Sequence, residues 1–536
     1  MFFRMLAQSE NNKYHGKIVN LETAIEVADF GKYHALLILI CGTCLSIGIF
    51  ESLGISFILP VAQYDLDLDT FDKGVISGSI YLGMILSFHG WGFCADVFGR
   101  KPILLITFFC TWFSSFLSSL APDFFTFTTF RFFTGIFLCG LSSTVYPYLS
   151  EFLPARNRSF IMTWTCGFIA LGFLVIPALS WLILPLDINY DLGFVKFRSW
   201  RLLIIVMGLP CLFTAFILMR YSESPKFLMS KGKKEEALQV LRRMYAVNKN
   251  KSEEDYPVKD LEFEIQQNEE NDELHNSAGQ NSNVAQFFKL VWRQTVALFL
   301  PPYLFTTLLF CTLQFGIYGI SAGMYLWVPD ILNTMTAIES TNSYGLVCAA
   351  IQSAKSANST VTESVVIGTI DTSVYKSTLI LGGSYVLSYT TIGGLVKLLG
   401  QKKVLVSALF VSGFSGIGMY FTSSDVFVRV FMTLLVILSG TNISVLSATI
   451  VDLYPTNLRA MAVSLALTSG RLGTSVVGNI IGILIERNCT VAIIGVGSVV
   501  LVCGFLCVFI PNPRNQGKSD SRNENCVTME EVSRSN

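Results

Sequence analysis

Long apolar runs alternate along this chain with short knots of proline, glycine and charge. Crossing roughly 30 Å of hydrocarbon takes about twenty mainly apolar residues in a helix. Runs of that kind fall near 35–60, 75–95, 103–121, 124–149, 160–184, 200–220, 298–328, 376–399, 404–422, 427–450, 461–485 and 491–510. The pattern predicts twelve spans in two groups of six. The expected organisation is a polar segment 1–34, a six-helix bundle 35–220, a polar connection 221–297, a second six-helix bundle 298–510 containing a loop 329–375, and a polar tail 511–536. In the connection, "KGKKEEALQVLRRMY" predicts an amphipathic helix with Ala237, Leu238, Leu241, Met244 and Tyr245 on one side, and "NEENDELHNSAGQNSN" predicts a flexible linker.

Basic residues orient the spans. Arg100, Lys101, Arg156, Arg158, the "KGKK" and "LRR" clusters, Lys402, Lys403 and Arg459 all fall on one side, which is therefore the cytosolic side and carries both termini. The opposite side receives the acidic "YDLDLDTFDK" and the 329–375 loop, where the "NST" at Asn358 is a glycan acceptor candidate. Matches at Asn157 and Asn250 face the cytosol, and Asn488 lies close to the bilayer; none of these is expected to be modified.

Composition agrees with the pattern. Of 536 residues 52% are hydrophobic and only 14% charged, and mean hydropathy is +0.54, too apolar for a soluble enzyme surface. Formal net charge is zero, so no basic stripe points to nucleic acid. All thirteen cysteines except Cys348, Cys489 and Cys526 lie in apolar runs, which leaves a Cys348–Cys489 bridge open but no disulfide scaffold. The first residues lack the apolar core and cleavage site of a signal peptide, so the first span is expected to direct its own insertion. No nucleotide loop, metal-spaced His/Cys set or nucleophile motif occurs, so neither an enzyme nor an ATP-driven pump is expected, and no cofactor or metal.

Two motifs repeat at one spacing. "GFCADVFGRK" (Gly92, Asp96, Gly99, Arg100, Lys101) lies 301 residues before "GGLVKLLGQK", and "EFLPARNR" (Glu151, Arg158) lies 301 before "DLYPTNLR" (Asp452, Arg459). The halves are therefore parallel repeats of a six-span unit. In the second copy Lys397 replaces the acid and Gln401 the arginine, predicting a weaker latch.

Twelve spans in two such repeats, with this loop, resemble the major facilitator superfamily, which implies an all-α membrane protein of two six-helix pseudo-repeats. "RFFTG" and "SESPKFLMSKGKKEEA" resemble the sugar and organic-ion porter branch. "ESLGISFILP", "KGVISGSIYLGMILSFHGWGFCADVFGRK" and "YSEFLPARNRSFIMTW" together resemble the synaptic vesicle glycoprotein 2 group and its insect relatives. The chain departs from that group at Gly48, where an aspartate is usual, at Ile443 and Ser447, which take the place of a tryptophan and an aspartate, and in its short 329–375 loop. The resemblance implies a loop that latches the halves in the outward-facing state, and a ligand-cavity role for Trp164.

Charges within spans are functional candidates by default because an unpaired charge in the bilayer costs a few kcal/mol or more. Glu51, His89, Arg131 and Arg471 are such residues. Glu51 lies nine residues before Pro60 and Arg131 eight after Asp123, placing both roughly 12–14 Å from the outer end at 1.5 Å per residue. The resemblance implies that spans one and four both line a central cavity, so the two are expected to pair there. Desolvation and pairing act on Glu51 in opposite directions, so a state-dependent pair would take up a proton in one conformation and release it in another, whereas a static pair would only fix packing. Arg471 in "SGRLG" is expected to bind an anionic solute group, balance Glu51 or serve structure, and His89 to pack or to titrate. The leading expectation is a secondary transporter of a small organic solute, sugar or organic ion, with or without proton coupling, in the plasma or a vesicle membrane. The competing expectation is a non-transporting vesicle or receptor-like protein that keeps the fold.

Overall fold

Each predicted apolar run forms a helix, and polar residues at the run boundaries set where the helices begin. The computed structural model describes residues 17–262, 292–293, 295–339, 348, 370–422, 424–454 and 456–511. The linker stretch "NEENDELHNSAGQNSN", Asn358 and Cys526 lie outside them.

Helix α1 (Leu21–Ala28) precedes the spans. Span one comprises α2 (Lys32–Leu53) and α3 (Ile55–Leu66), broken at Gly54. Spans two to six are α4 (Thr70–Phe98), α5 (Arg100–Ser119), α6 (Phe124–Ser150), α7 (Ala155–Ile183) and α8 (Ser199–Met219). The connection carries α9 (Pro225–Ser230) and α10 (Lys234–Lys249). Spans seven to twelve are α11 (Leu304–Glu339), α12 (Thr372–Leu399), α13 (Gln401–Phe421), α14 (Asp425–Leu453), α15 (Thr456–Arg487) and α16 (Cys489–Leu506). Asp69 caps α4 in a reciprocal box with Asp72, Asp123 caps α6 and Asn488 caps α16, each supplying an acceptor to an orphan N–H of the first turn.

Among the described residues eleven helical segments are long and apolar enough to cross a membrane. The remaining span, α15, is 32 residues long, and polar residues such as Thr468, Arg471 and Asn479 interrupt its apolar surface. Two predicted ends need correction. Span one continues through Pro60 to Leu66, and span seven continues through Pro329 to Glu339, so the loop does not begin at 329. A proline removes one backbone donor, but in a buried membrane helix the freed carbonyl finds other partners and the helix need not stop.

The chain forms two compact units, Met1–Phe288 with Val366–Val386, and Lys289–Val365 with Leu387–Asn536. In the first, span one packs on spans four, five and six, and span three on four and six. In the second, span seven packs on ten, eleven and twelve, and span nine on ten and twelve. The same helix pairs recur one repeat later. Span eight begins within the first unit, where Tyr385 stacks on Phe173 with centroids 4.1 Å apart and Tyr375 stacks on Phe57 and Trp181. In the second unit Cys348 and Cys489 are bridged.

On the basic side of the first unit, α10 buries Ala237, Leu238, Val240, Leu241, Met244 and Tyr245. Strands β1 (Ile18–Val19) and β4 (Asp260–Leu261) pair in parallel, and the Tyr256 hydroxyl donates to Ala24 O at 2.7 Å. The residues ahead of span one are thereby joined to the connection. On the other side β2 (Asn189–Asp191) and β3 (Lys196–Arg198) form a hairpin between spans five and six.

Candidate functional site

Span one brings the Glu51 carboxylate to the arginine of span four. Arg131 Nη1 donates to Glu51 Oε2 at 2.9 Å, Nη2 donates to the Glu51 backbone carbonyl, and the side chains are 3% and 2% exposed. Ser115 of span three donates to the same Oε2 at 3.0 Å. Thr134, one helical turn beyond Arg131, donates to Ser114 at 3.1 Å and ties spans three and four at this level. The pair forms although Pro60 is not the end of span one. The break at Gly54 sits three residues beyond Glu51, and a side chain there would collide with Met207 of span six.

Arg471 is buried in the second unit at 9% exposure. Its small neighbours allow close packing, as their sequence suggests: Gly473 lies against the backbone of Phe315, and Gly470 against the Tyr318 ring. Trp164 is 68% exposed and neighbours Phe160. His89 is half-buried, edge-on to Phe88 at 5.7 Å. At Ser447, in place of the expected acid, the hydroxyl accepts from Gln314 Nε2 at 3.1 Å.

The repeated loop makes repeated contacts. Arg100 pairs with Asp96 at 2.9 Å and with Glu151 at 3.2 Å. One repeat later Gln401 Nε2 donates to Asp452 at 2.9 Å, so an amide-to-carboxylate hydrogen bond stands where the first repeat has an ion pair. Arg158 and Arg459 each donate to the carbonyl five residues back, Leu153 O and Tyr454 O. Gly92 lies in open space. Gly99 and Gly400 both adopt positive φ, 106° and 86°.

Two partners of this loop were not assigned from sequence. Glu223, within the quoted "SESPKF", accepts from the Lys101 backbone N–H at 3.2 Å, and Glu22 of α1 pairs with Arg158 at 2.9 Å. The first lay inside a recognised motif; the second, 136 residues away, had no local signal. Burial pushes the Glu151 and Glu223 carboxyls above the ordinary glutamate range, opposed by Arg100 at Glu151 and by backbone N–H groups at Glu223. Gly99→Ala should destabilise more than Gly400→Ala. Both strain the backbone by about 1 kcal/mol, but a Cβ at residue 99 also collides with the Glu223 carboxylate while one at 400 meets nothing within 4 Å. Thermal melts of the two variants check the order.

Comparison with known proteins agrees with this architecture. The sugar (and other) transporter family matches residues 51–517. Synaptic vesicle glycoprotein 2A of Rattus norvegicus is 28% identical over 332 residues, covering 59% of this chain and 44% of that protein. Synaptic vesicle glycoprotein 2C of Mus musculus is 29% identical over 351 residues, covering 63% and 47%. The chain thus spans less than half the length of these curated relatives. Among solved structures, the xylose transporter of E. coli in a partially occluded inward-open conformation superposes with a TM-score of 0.61 at 16% identity, over 90% of this chain and all of that one. A proton:xylose symporter bound to 6-bromo-6-deoxy-D-glucose gives 0.60 at 17% identity, over 89% and 96%.

Proposed function

We propose, from the premise that this chain belongs to the sugar (and other) transporter family, that it is a secondary transporter moving a small organic solute, a sugar or an organic ion, across its membrane by alternating access with proton coupling through Glu51. The observation that carries the reading is the buried Glu51–Arg131 pair. Isolated in hydrocarbon, either charge is costly; together they form a unit whose net charge changes when one proton arrives. The Arg100, Glu151 and Glu223 cluster serves as the cytosolic gate, and Arg471 and Trp164 are the proposed solute contacts. The chain is a multi-pass membrane protein; both termini are proposed to be cytosolic, its membrane to be plasma or vesicular, and Asn358 to carry a glycan.

One observation favours the second reading, a vesicle or receptor-like protein that keeps the fold without transport. The second gating loop has exchanged its ion pair for the Gln401–Asp452 hydrogen bond.

The deciding measurement is thermal stabilisation of the purified protein against sugars, organic cations and organic anions at two pH values. A ligand that binds only the folded state raises its melting temperature, by about 2.7 kcal/mol of stabilisation at a hundredfold excess over Kd. A pH-sensitive shift with one class is expected. No shift with any class supports the non-transporting reading.

A further inference from the structure

The two oxygens of Glu51 are not equivalent. Oε2 accepts from both Ser115 Oγ at 3.0 Å and Arg131 Nη1 at 2.9 Å. Oε1 is buried and has no hydrogen-bond partner among the described residues. It faces span six at Gly208, where a Cβ would lie 3.6 Å from Oε1, 3.7 Å from Ser115 Oγ and 3.7 Å from Trp112 Cδ1. A methyl group at residue 208 would therefore meet Oε1 at ordinary van der Waals distance without a clash. Arg131 is the charged group facing this carboxyl, from span four; Cys211 of span six is the nearby thiol, with Cys44 of span one next to it.

We infer that Ser115 and Gly208 are positioning residues for the Glu51 carboxyl: Ser115 holds Oε2, and the bare backbone at Gly208 leaves Oε1 as the oxygen that takes the proton. The inference rests on the coupling role proposed for Glu51. A proton arriving at Oε1 forms a neutral acid whose Oε2 still accepts from Ser115. A proton at Oε2 would have to displace one of two donors first. Arg131 keeps its second anchor on the Glu51 backbone carbonyl, so loading neutralises the carboxyl without releasing the guanidinium. A hydroxyl donating to the charged oxygen favours the ionised form. Filling the space beside Oε1 with a methyl group excludes water and favours the neutral one.

The test is infrared difference titration of the purified full chain, following the protonated carboxyl stretch of Glu51, assigned by its loss in Glu51→Gln. Ser115→Ala should move the titration midpoint to higher pH by about one unit, a tenfold change in proton affinity of the size expected for a hydrogen bond to a charged acceptor. Ser115→Thr, which keeps the hydroxyl, should stay near the wild-type midpoint. Gly208→Ala should move it up as well, and Gly208→Ser, whose hydroxyl can donate to Oε1, should move it down. Opposite shifts at one position are not what loss of packing produces. The inference is overturned if Ser115→Ala leaves the midpoint unchanged, or if both Gly208 variants move it the same way. The coupling role is read separately: these midpoint shifts with pH-independent solute uptake would retain the positioning and remove the coupling.

Discussion

Arg131→Ala alone should leave little folded protein, and Glu51→Gln introduced into the same chain should restore part of it. Removing the arginine leaves a carboxylate, 2% exposed, with Ser115 as its remaining side-chain donor. Breaking a buried pair by deleting one partner costs about 3–5 kcal/mol because the other charge stays uncompensated. Glutamine at residue 51 removes that charge, so the double variant should be more stable than Arg131→Ala by about 1–3 kcal/mol. The cavity left by the missing guanidinium remains, so rescue is partial. The yield of monodisperse protein and the melting temperature of the four members of the cycle measure the coupling. Purely additive effects would mean that the contact contributes no stability of its own.

Glu51→Gln in the otherwise native chain should abolish solute uptake driven by a pH gradient while exchange of preloaded solute continues. Glutamine leaves Arg131 without its counter-ion and so lowers stability, but it keeps the shape of the carboxyl, can accept from Ser115 and Arg131, and takes up no proton in this pH range. Exchange needs solute binding and the conformational change; uphill uptake needs the proton as well. Proteoliposomes assayed in both modes separate the two. Loss of both together would make Glu51 a binding or packing residue and remove the coupling role.

Much of the pair was legible before any coordinates. A charge inside an apolar run must find a counter-charge, and helical rise placed two candidates at similar depth. The route was inexact, since span one runs six residues past Pro60 to Leu66, about 9 Å at 1.5 Å per residue; the pair forms because spans one and four pack on each other. Ser115 was not legible. Span three carries Ser114, Ser115, Ser118 and Ser119, and nothing in their order tells which hydroxyl faces a carboxylate; that depends on the rotation of the helix. Nor was the pairing of Glu22 with Arg158, where a helix ahead of the spans meets the loop after span four.

By itself the sequence determined the membrane class, the helix positions and the 301-residue repeat. Each rests on a local or periodic quantity: the apolar length needed to cross hydrocarbon, the capping residues at run ends, and two motifs at one spacing. The tertiary structure alone decided which oxygen of Glu51 is engaged, that a methyl group fits at Gly208 beside the other, and that the Gln401 amide meets Asp452 in the second copy of the loop. These depend on how helices distant in sequence are rotated and how deeply they interlock. No span's own pattern contains that information, because it arises from packing between spans.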